Sequence, residues 1–384
     1  MNYYIIAGEA SGDLHGSLLM RAIAKKDPDA EFRYWGGEKM DAACPIARGV
    51  KVCDISELSV MGVVEVVAKV GRLRRKMASC KADIARFKPD ALILIDYPGF
   101  NLKMAEFAHK RGLKVFYYIA PKVWATREKR VKQLQRYVDR LYAIFPFEVE
   151  WFRSRGVDVV YEGNPLVEHI DARLEKAYDR EKFLSAYGLE DKPLIALLPG
   201  SRPQELKFLA HRFVAASQIL KRPDSPLRDC QFVVAAAPGI DASIYDSYFE
   251  GTGVKVLYDN NYTLLKYADA AAVASGTASL EAAVIGCPQV VCYGMNPLSY
   301  KIATSMLKVN YVSLANLIMD RQVCKELLQD ECNPSTIAAE LISLTQDEPY
   351  RAEMLRQYTE LRHMLEGSGA ADRIASDILK SVTD

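Results

Sequence analysis

The sequence predicts an α/β protein: two doubly wound domains, each a parallel sheet flanked by helices, with a helical C-terminal tail. Three observations carry this. Short, uninterrupted apolar runs alternate with helical patterns, as strands buried on both faces require. The pattern stops after Asn164-Pro165 and restarts at Leu194. The chain of 384 residues also exceeds what one core supports, since single cores rarely grow beyond about 250–300 residues.

Taken in order, Tyr3–Ala7 reads as the first strand and Asp13–Lys25 as the helix after it. Ala91–Ile95 (ALILI) predicts a strand and Leu102–Lys110 a helix, and Lys114–Ile119, Arg140–Phe145 and Val157–Tyr161 continue the strand series. Residues 166–192 are charged and helical in pattern. Leu194–Leu198 restarts the series, with Pro199-Gly200-Ser201-Arg202 as a turn and Gln204–Leu220 as a helix; Gln231–Ala236, Val254–Leu257, Ala270–Ala274 and Gln289–Tyr293 read as further strands. From Leu298 onward the pattern is helical, with no strand-like run. The expected domains are 1–165 and 166–350, and 351–384 are C-terminal helices able to pack back on the first domain.

Half the residues are apolar and 26% are charged, with 22 Gly and 17 Pro, which excludes a disordered, collagen-like or disulfide-scaffold chain. The net charge of +1 offers no polyelectrolyte argument for nucleic acid. Charge is uneven, however: 28 Lys+Arg face 20 Asp+Glu up to Pro165, and 22 face 29 beyond it. A basic N-terminal half suits an anionic partner. Eight cysteines without a CxxC pair and five histidines without HExxH read as reduced, buried thiols of a cytosolic protein and give no zinc signature. Met1–Ala7 lacks a basic n-region and reads as a core strand instead of a signal peptide. No run of about 18 uncharged apolar residues is present, so nothing is expected to span a membrane.

Ala10-Ser11-Gly12-Asp13, Ala274-Ser275-Gly276-Thr277 and Pro199-Gly200-Ser201-Arg202 each follow an apolar run and precede a helix. Each would set small residues at a helix N-terminus, where free N–H groups and the dipole attract anions. Any one of them also reads as a plain tight turn; three together facing one cleft favour phosphate recognition. No GxGxxG follows the first strand and no Walker lysine is present, so dinucleotide and ATP sites fail on pattern.

Several segments together resemble the lipid-A-disaccharide synthase family. They are Gly8-Glu9-Ala10-Ser11-Gly12-Asp13, Val60-Met61-Gly62 with Val63-Val64-Glu65-Val66, Lys88-Pro89-Asp90 leading to Ile95-Asp96-Tyr97-Pro98-Gly99-Phe100-Asn101, Pro121-Lys122-Val123-Trp124-Ala125, Leu198-Pro199-Gly200-Ser201-Arg202, Ala274-Ser275-Gly276-Thr277-Ala278-Ser279-Leu280-Glu281 and Asn310-Tyr311-Val312-Ser313-Leu314-Ala315-Asn316-Leu317. The resemblance implies an inverting glycosyltransferase with two Rossmann-like domains, the GT-B architecture. It implies UDP-2,3-diacylglucosamine as donor, 2,3-diacylglucosamine 1-phosphate as acceptor, and no cofactor. It also implies a cytoplasmic protein held peripherally at the inner face of the bacterial inner membrane, and leaves a homodimer open. This chain departs from the family pattern at Gly99, Thr126 and Asn164, where many members have Asp, Trp and His.

Inverting transfer needs a base for the acceptor hydroxyl. Asp96 follows ALILI at the carboxyl end of a strand, where sites form, and Pro98 and Gly99 force a turn there; the competing reading is a cap for the next helix. Glu9 is the second catalytic candidate, or else a charge stabilising a helix start. Gly8, Ser11, Gly12 and Asn101 are expected at the acceptor, and Asp13 as a cap or a ligand contact. Arg202 suits the donor diphosphate because a guanidinium forks onto phosphate and is locally disfavoured at a helix start. Gly200, Ser201, Ser275, Gly276 and Thr277 would add N–H and hydroxyl donors. Glu281, one turn beyond Thr277, suits the ribose hydroxyls or a salt bridge, and Asn316 follows from the resemblance alone. With no DxD at a cleft position, no metal is expected.

Val60–Lys88 carries more apolar surface than a core-facing helix needs, including Val63, Val64 and Val67, amid Arg72, Arg74, Arg75 and further bases. That combination suits a membrane interface; a buried helix with a solvated basic end is the alternative. The rival functions are an epimerase or other enzyme acting on a UDP-sugar with a soluble acceptor, and a non-catalytic two-domain binding protein.

Overall fold

The apolar runs form strands in the computed structural model, which describes all residues except 58–65, 126, 238, 297–299, 301–309, 368 and 384. The chain divides into two units, Met1–Pro165 with Gly367–Asp384, and Leu166–Glu366. Each is built on one parallel sheet.

In the first unit the strands are β1 (Asn2–Ala7), β2 (Glu31–Gly36), β3 (Gly49–Asp54), β4 (Ala91–Ile95), β5 (Lys114–Tyr118), β6 (Arg140–Ala143) and β7 (Val159–Tyr161). Their order is β3-β2-β1-β4-β5-β6-β7. All five residues of β4 are buried, worth about 1.5–3 kcal/mol for each large aliphatic side chain. Successive side chains of a strand point to opposite faces, and β1 divides accordingly. Tyr4 and Ile6 join a core with Met77, Cys80 and Ile84 of the helix Val66–Phe87. Tyr3, Ile5 and Ala7 join another with Leu19, Met20 and Ile23 of the helix Ala10–Lys26.

The second unit holds β8 (Leu194–Leu198), β9 (Gln231–Ala235), β10 (Lys255–Leu257), β11 (Ala270–Ala274), β12 (Gln289–Tyr293) and β13 (Lys325–Leu328), ordered β10-β9-β8-β11-β12-β13. Every pairing in both sheets is parallel.

Three sequence expectations need correction. Residues beyond Leu298 are not wholly helical, because β13 closes the second sheet; its four residues, Lys-Glu-Leu-Leu, of which only Leu327 is fully buried, are too short and polar to stand out. β2 and β3, on the other flank of the first sheet, carry Arg33 and Lys51 among their apolar residues and gave no continuous run. The tail also divides: the helix Glu348–Leu365 belongs to the second unit, and only Gly367–Asp384 joins the first. There the helix Ala370–Thr383 buries Ile374, Ala375 and Ile378 in the core under Ala10–Lys26, and Asp377 accepts from the Tyr142 hydroxyl at 2.8 Å.

Both strand orders reverse direction at one place, between β1 and β4 in the first sheet and between β8 and β11 in the second. Ligands of open α/β sheets bind at the carboxyl ends of strands beside such a switch point.

Candidate active site

The predicted residues gather at these two switch points. In the first unit Ala7 pairs with Ile95 and Ile95 with Tyr118, so Gly8, Asp96 and Ile119 leave the sheet side by side. The turn after β4 is tightly determined. Asp96 (φ +44°) and Tyr97 (φ +47°) are consecutive non-glycine residues in the left-handed region, a conformation costing about 1–3 kcal/mol per residue that persists only where surroundings impose it. They do: the Asp96 amide donates to Tyr118 O at 3.1 Å, and Asp96 O accepts from the Tyr117 hydroxyl at 2.6 Å and from Asn101 Nδ2 at 2.8 Å.

This leaves the Asp96 carboxyl at the sheet edge without a capping role, because the helix Pro98–His109 starts from Tyr97 with no side-chain cap. Burial pushes its pKa up, Glu9 adds to the rise, and Lys122 and the Tyr97 amide oppose it. Glu9 is exposed, starts the helix Ala10–Lys26, and makes no capping bond either. The two catalytic candidates are thus electrostatically coupled carboxylates, one half-buried and one exposed. Coupled carboxylates in unlike environments are how acid–base roles are divided.

Among the acceptor candidates, Gly8 is a packing requirement, since a Cβ there would lie 2.3 Å from Tyr97 Cγ. Gly12 lets its helix approach β1, with a Cβ 3.3 Å from that of Ala7, and Ser11 is exposed in the first turn. Asn101 needs correction: it is fully buried, and Nδ2 donates to Ile95 O at 3.1 Å as well as to Asp96 O. Its Nδ2 ties down the β4 turn, while its Oδ1 is buried with no hydrogen-bond partner among the described residues. Asp13 is a cap, though not for its own helix: it accepts from the amides of Gly37 (2.6 Å), Lys39 (3.0 Å) and Met40 (3.1 Å). Gly99 is exposed with room for a side chain, so its departure from the family pattern has no steric cause. Thr126 lies outside the described residues, and Asn164 is buried.

In the second unit Leu198 pairs with Val273 and Ala274 with Cys292, which sets the turns of Gly200 and Gly276 on neighbouring strands. Gly276 (φ +150°) starts the helix Thr277–Ile285 with no side-chain cap, and Gly276 and Thr277 are exposed. Its first-turn N–H groups therefore face outward as an anion-binding end. Ser275 is less available than expected, since its hydroxyl donates to Val312 O at 3.0 Å.

Gly200 (φ +103°) has no room for a Cβ, which would sit 2.4 Å from Glu205 Oε2. That carboxylate also accepts from Ser201 N at 3.0 Å and Arg202 N at 3.3 Å, and pairs with Arg202 Nη1 at 3.1 Å. Arg202 is 78% exposed, so only the pair with Glu205 holds its guanidinium among the described contacts. Glu281 accepts from the Tyr262 hydroxyl at 3.0 Å and burial raises its pKa; it makes no salt bridge among the described residues.

Asn316 also needs correction. Fully buried, it accepts from the amides of Val323 (2.8 Å) and Cys324 (3.0 Å) and donates to Cys324 O (2.9 Å) and Glu326 Oε1 (2.8 Å). Every hydrogen-bonding position of its amide is used inside the protein, so it braces the entry to β13.

Of the membrane candidates, Val63 and Val64 lie outside the described residues, and Val67 and Arg72 lie on the helix Val66–Phe87. Arg74 and Arg75 are exposed on that helix, whereas Met77 of the same segment is buried in the core and Leu73 packs against it. Among the described residues no helix is long and apolar enough to cross a membrane. Sequence reasoning gave no role to Lys122 or to Glu148, a fully buried carboxylate that accepts from Trp124 Nε1 at 2.8 Å. The signal available was a Glu in the first turn of a Pro-initiated helix.

Comparison with known proteins identifies the family and the fold. Residues 3–378 match the family model described as lipid-A-disaccharide synthetase. A lipid-A-disaccharide synthase of Myxococcus xanthus is 39% identical over 380 residues, 98% of this chain and 96% of that protein. One from Geobacter metallireducens is 36% identical over 381 residues, with the same coverage of 98% and 96%. Among solved structures, UDP-GlcNAc 2-epimerase from Neisseria meningitidis superposes with a TM-score of 0.68 at 12% identity, covering 99% of this chain and 100% of that one. The glycotransferase of kitacinnamycin gives 0.60 at 15% identity, with 99% and 98% covered. These two likenesses fix the fold as GT-B, two Rossmann-like units with a helical C-terminal tail. The sequence matches over nearly the whole chain fix the family: the chain belongs to the lipid-A-disaccharide synthetases, which are UDP-sugar-dependent glycosyltransferases.

Proposed function

We propose that the chain joins UDP-2,3-diacylglucosamine to 2,3-diacylglucosamine 1-phosphate, with Asp96 as general base. Asp96 takes the proton of the acceptor 6-hydroxyl as that oxygen attacks the anomeric carbon of the donor. The bond to the diphosphate breaks, its electron pair leaves with UDP, and inversion gives the β-1,6-linked disaccharide 1-phosphate. The carrying observation is the carboxylate at the first switch point: half-buried, held by a strained turn, raised in pKa and coupled to Glu9. A base with an elevated pKa transfers protons more effectively near neutral pH. Glu9 would bind or orient the acceptor from the start of its helix.

UDP would be held in the second unit. The uncapped helix start at Gly276 and Thr277 supports phosphate binding, and Arg202 would leave Glu205 to meet the charge that grows on the diphosphate as the bond breaks. Glu281 would take the ribose hydroxyls from beside Tyr262. The exposed Arg74 and Arg75 support docking on an anionic membrane surface, where acylated substrates reside. Incubating the purified chain with both acylated sugars and reading products by mass spectrometry tests the assignment. The tetraacyl disaccharide 1-phosphate and UDP are expected in equal amounts; turnover of soluble UDP-sugars alone would contradict it.

A further inference from the structure

Glu148 has no exposure to solvent, and a buried carboxylate is retained only where hydrogen bonds compensate its desolvation. Two of its bonds are local: Oε2 accepts from the amides of Ile144 (3.2 Å) and Phe145 (3.1 Å) at the start of its own helix, Pro146–Arg153. The third is not local. Oε1 accepts from Trp124 Nε1 at 2.8 Å, reaching back to the turn that follows β5. Trp124 is buried, with its ring edge-on to Phe147 at 5.0 Å.

That turn leaves the sheet beside Asp96. It starts at Ile119, a β-branched residue at φ +63°, and closes with Val123 N donating to Pro121 O at 2.6 Å and Ala125 N to Lys122 O at 3.2 Å. It therefore carries Lys122, whose side of the turn is exposed while the Trp124 side is buried. The Lys122 ammonium favours the ionised form of both Asp96 and Glu148. One cation thus serves two carboxylates that follow β4 and β6, the strands on either side of β5.

We propose that Glu148 is a positioning residue for the reaction: by clasping Trp124 it sets the turn that holds Lys122 where it stabilises the Asp96 carboxylate. The proposal rests on the reading of Asp96 as the base. Burial pushes Glu148 up to about 7 against the bonds from Trp124, Phe145 and Ile144 and the charge of Lys122. Tyr161 of β7 also faces it. The charged groups acting on Asp96 are Glu9 and Lys122, and Tyr117 packs beneath it. Removing the clasp releases Lys122, leaving burial and Glu9 to raise Asp96 further, so a higher pH is needed to ionise the base.

The test is the pH dependence of kcat/KM for the full chain, whose acid limb reports the free enzyme's base. In Glu148→Gln the limb is expected to move up by roughly one pH unit, the low end of what a nearby opposite charge contributes. That makes the rate about tenfold lower on the limb and closer to wild type at high pH. Lys122→Met is expected to give the same shift, and the Glu148→Gln/Lys122→Met pair no more than either alone. A merely structural role would lower the active fraction at every pH and leave the limb in place; that result in Glu148→Gln overturns the proposal. If Glu148→Gln does not fold, Trp124→Phe, which keeps a ring and removes the N–H, carries the same expectation and the same refutation. Asp96→Asn separates the two layers. Turnover surviving in it overturns the base and this proposal together, whereas an inactive Asp96→Asn with unmoved limbs in the other variants overturns only the role of Glu148.

Discussion

Replacing Gly8 by alanine adds one methyl group at the β1/β4 switch point, and its consequences follow from the packing there. The new Cβ would lie 2.3 Å from Tyr97 Cγ and 2.7 Å from Tyr97 Cβ. These atoms are the root of the side chain, so a rotamer change cannot clear them. The ring itself is stacked on Phe100, centroids 5.8 Å apart, and Phe100 lies against Trp35 at 5.1 Å. Relief to an ordinary contact of about 3.4 Å requires the turn to move by about 1 Å. Overpacking of this kind costs about 1–3 kcal/mol, and each kcal/mol lowers the melting midpoint by roughly 2–4 °C in a unit of this size. Asp96 is the neighbouring residue, and a displacement of about 1 Å at a reacting group can cost about 10²-fold in rate. Thermal denaturation followed by circular dichroism, with kcat at saturating substrates, reads both effects. Tyr97→Gly removes the ring and suits the +47° φ, so combining it with Gly8→Ala should cost less than the two changes summed. A Gly8→Ala protein with wild-type midpoint and wild-type kcat would refute the packing argument.

Arg202→Ala is expected to lower kcat/KM for the donor by roughly 10- to 100-fold, as loss of a charge-assisted hydrogen bond of about 1.5–3 kcal/mol implies, with little change in melting because its exposed pair with Glu205 contributes about 0–1 kcal/mol. Steady-state kinetics with varied UDP-sugar checks this. Asn316→Ala should do the opposite: stranding the buried amides of Val323 and Cys324 costs about 1–3 kcal/mol per group, seen as a lower denaturation midpoint, while KM for the donor stays put in the folded fraction. In vesicle flotation, the chain should rise with vesicles containing anionic lipid. Arg74→Glu/Arg75→Glu should weaken this, and added salt should weaken it too, because each base contributes about 1 kcal/mol through a field screened within about 10 Å at 0.1 M. Flotation unchanged in the variant would remove this helix from the membrane contact.

The central strands were legible because burial on both faces leaves an uninterrupted apolar run, as in ALILI of β4 and LIALL of β8. Of the edge strands, β7 and β10 were read as Val157–Tyr161 and Val254–Leu257, but β3 and β13 were not. β13 and β3 each have one fully buried residue, Leu327 and Cys53, and four to six residues of mixed polarity carry no usable period. At the site, residue type exposed Asp96, Glu9 and Arg202, whose chemistry is local to a turn after a strand. Asn101 and Asn316 misled for a physical reason: a buried amide that braces main chain and an exposed one that binds a ligand look the same in one dimension. Glu148 escaped notice because its decisive partner, Trp124, is 24 residues away and is brought to it only by the adjacency of β5 and β6. The segment Val60–Lys88 mixed two roles, since Met77 faces the core while Arg74 and Arg75 face solvent.

The most direct test is Asp96→Asn, which fills the same volume and keeps the turn but cannot accept the proton. The reading of Asp96 as general base predicts a loss of at least about 10²–10⁴-fold in kcat, with UDP binding by titration calorimetry near the wild-type value, since the UDP residues belong to the other unit. Turnover within a few-fold of wild type, with folding intact, would contradict it.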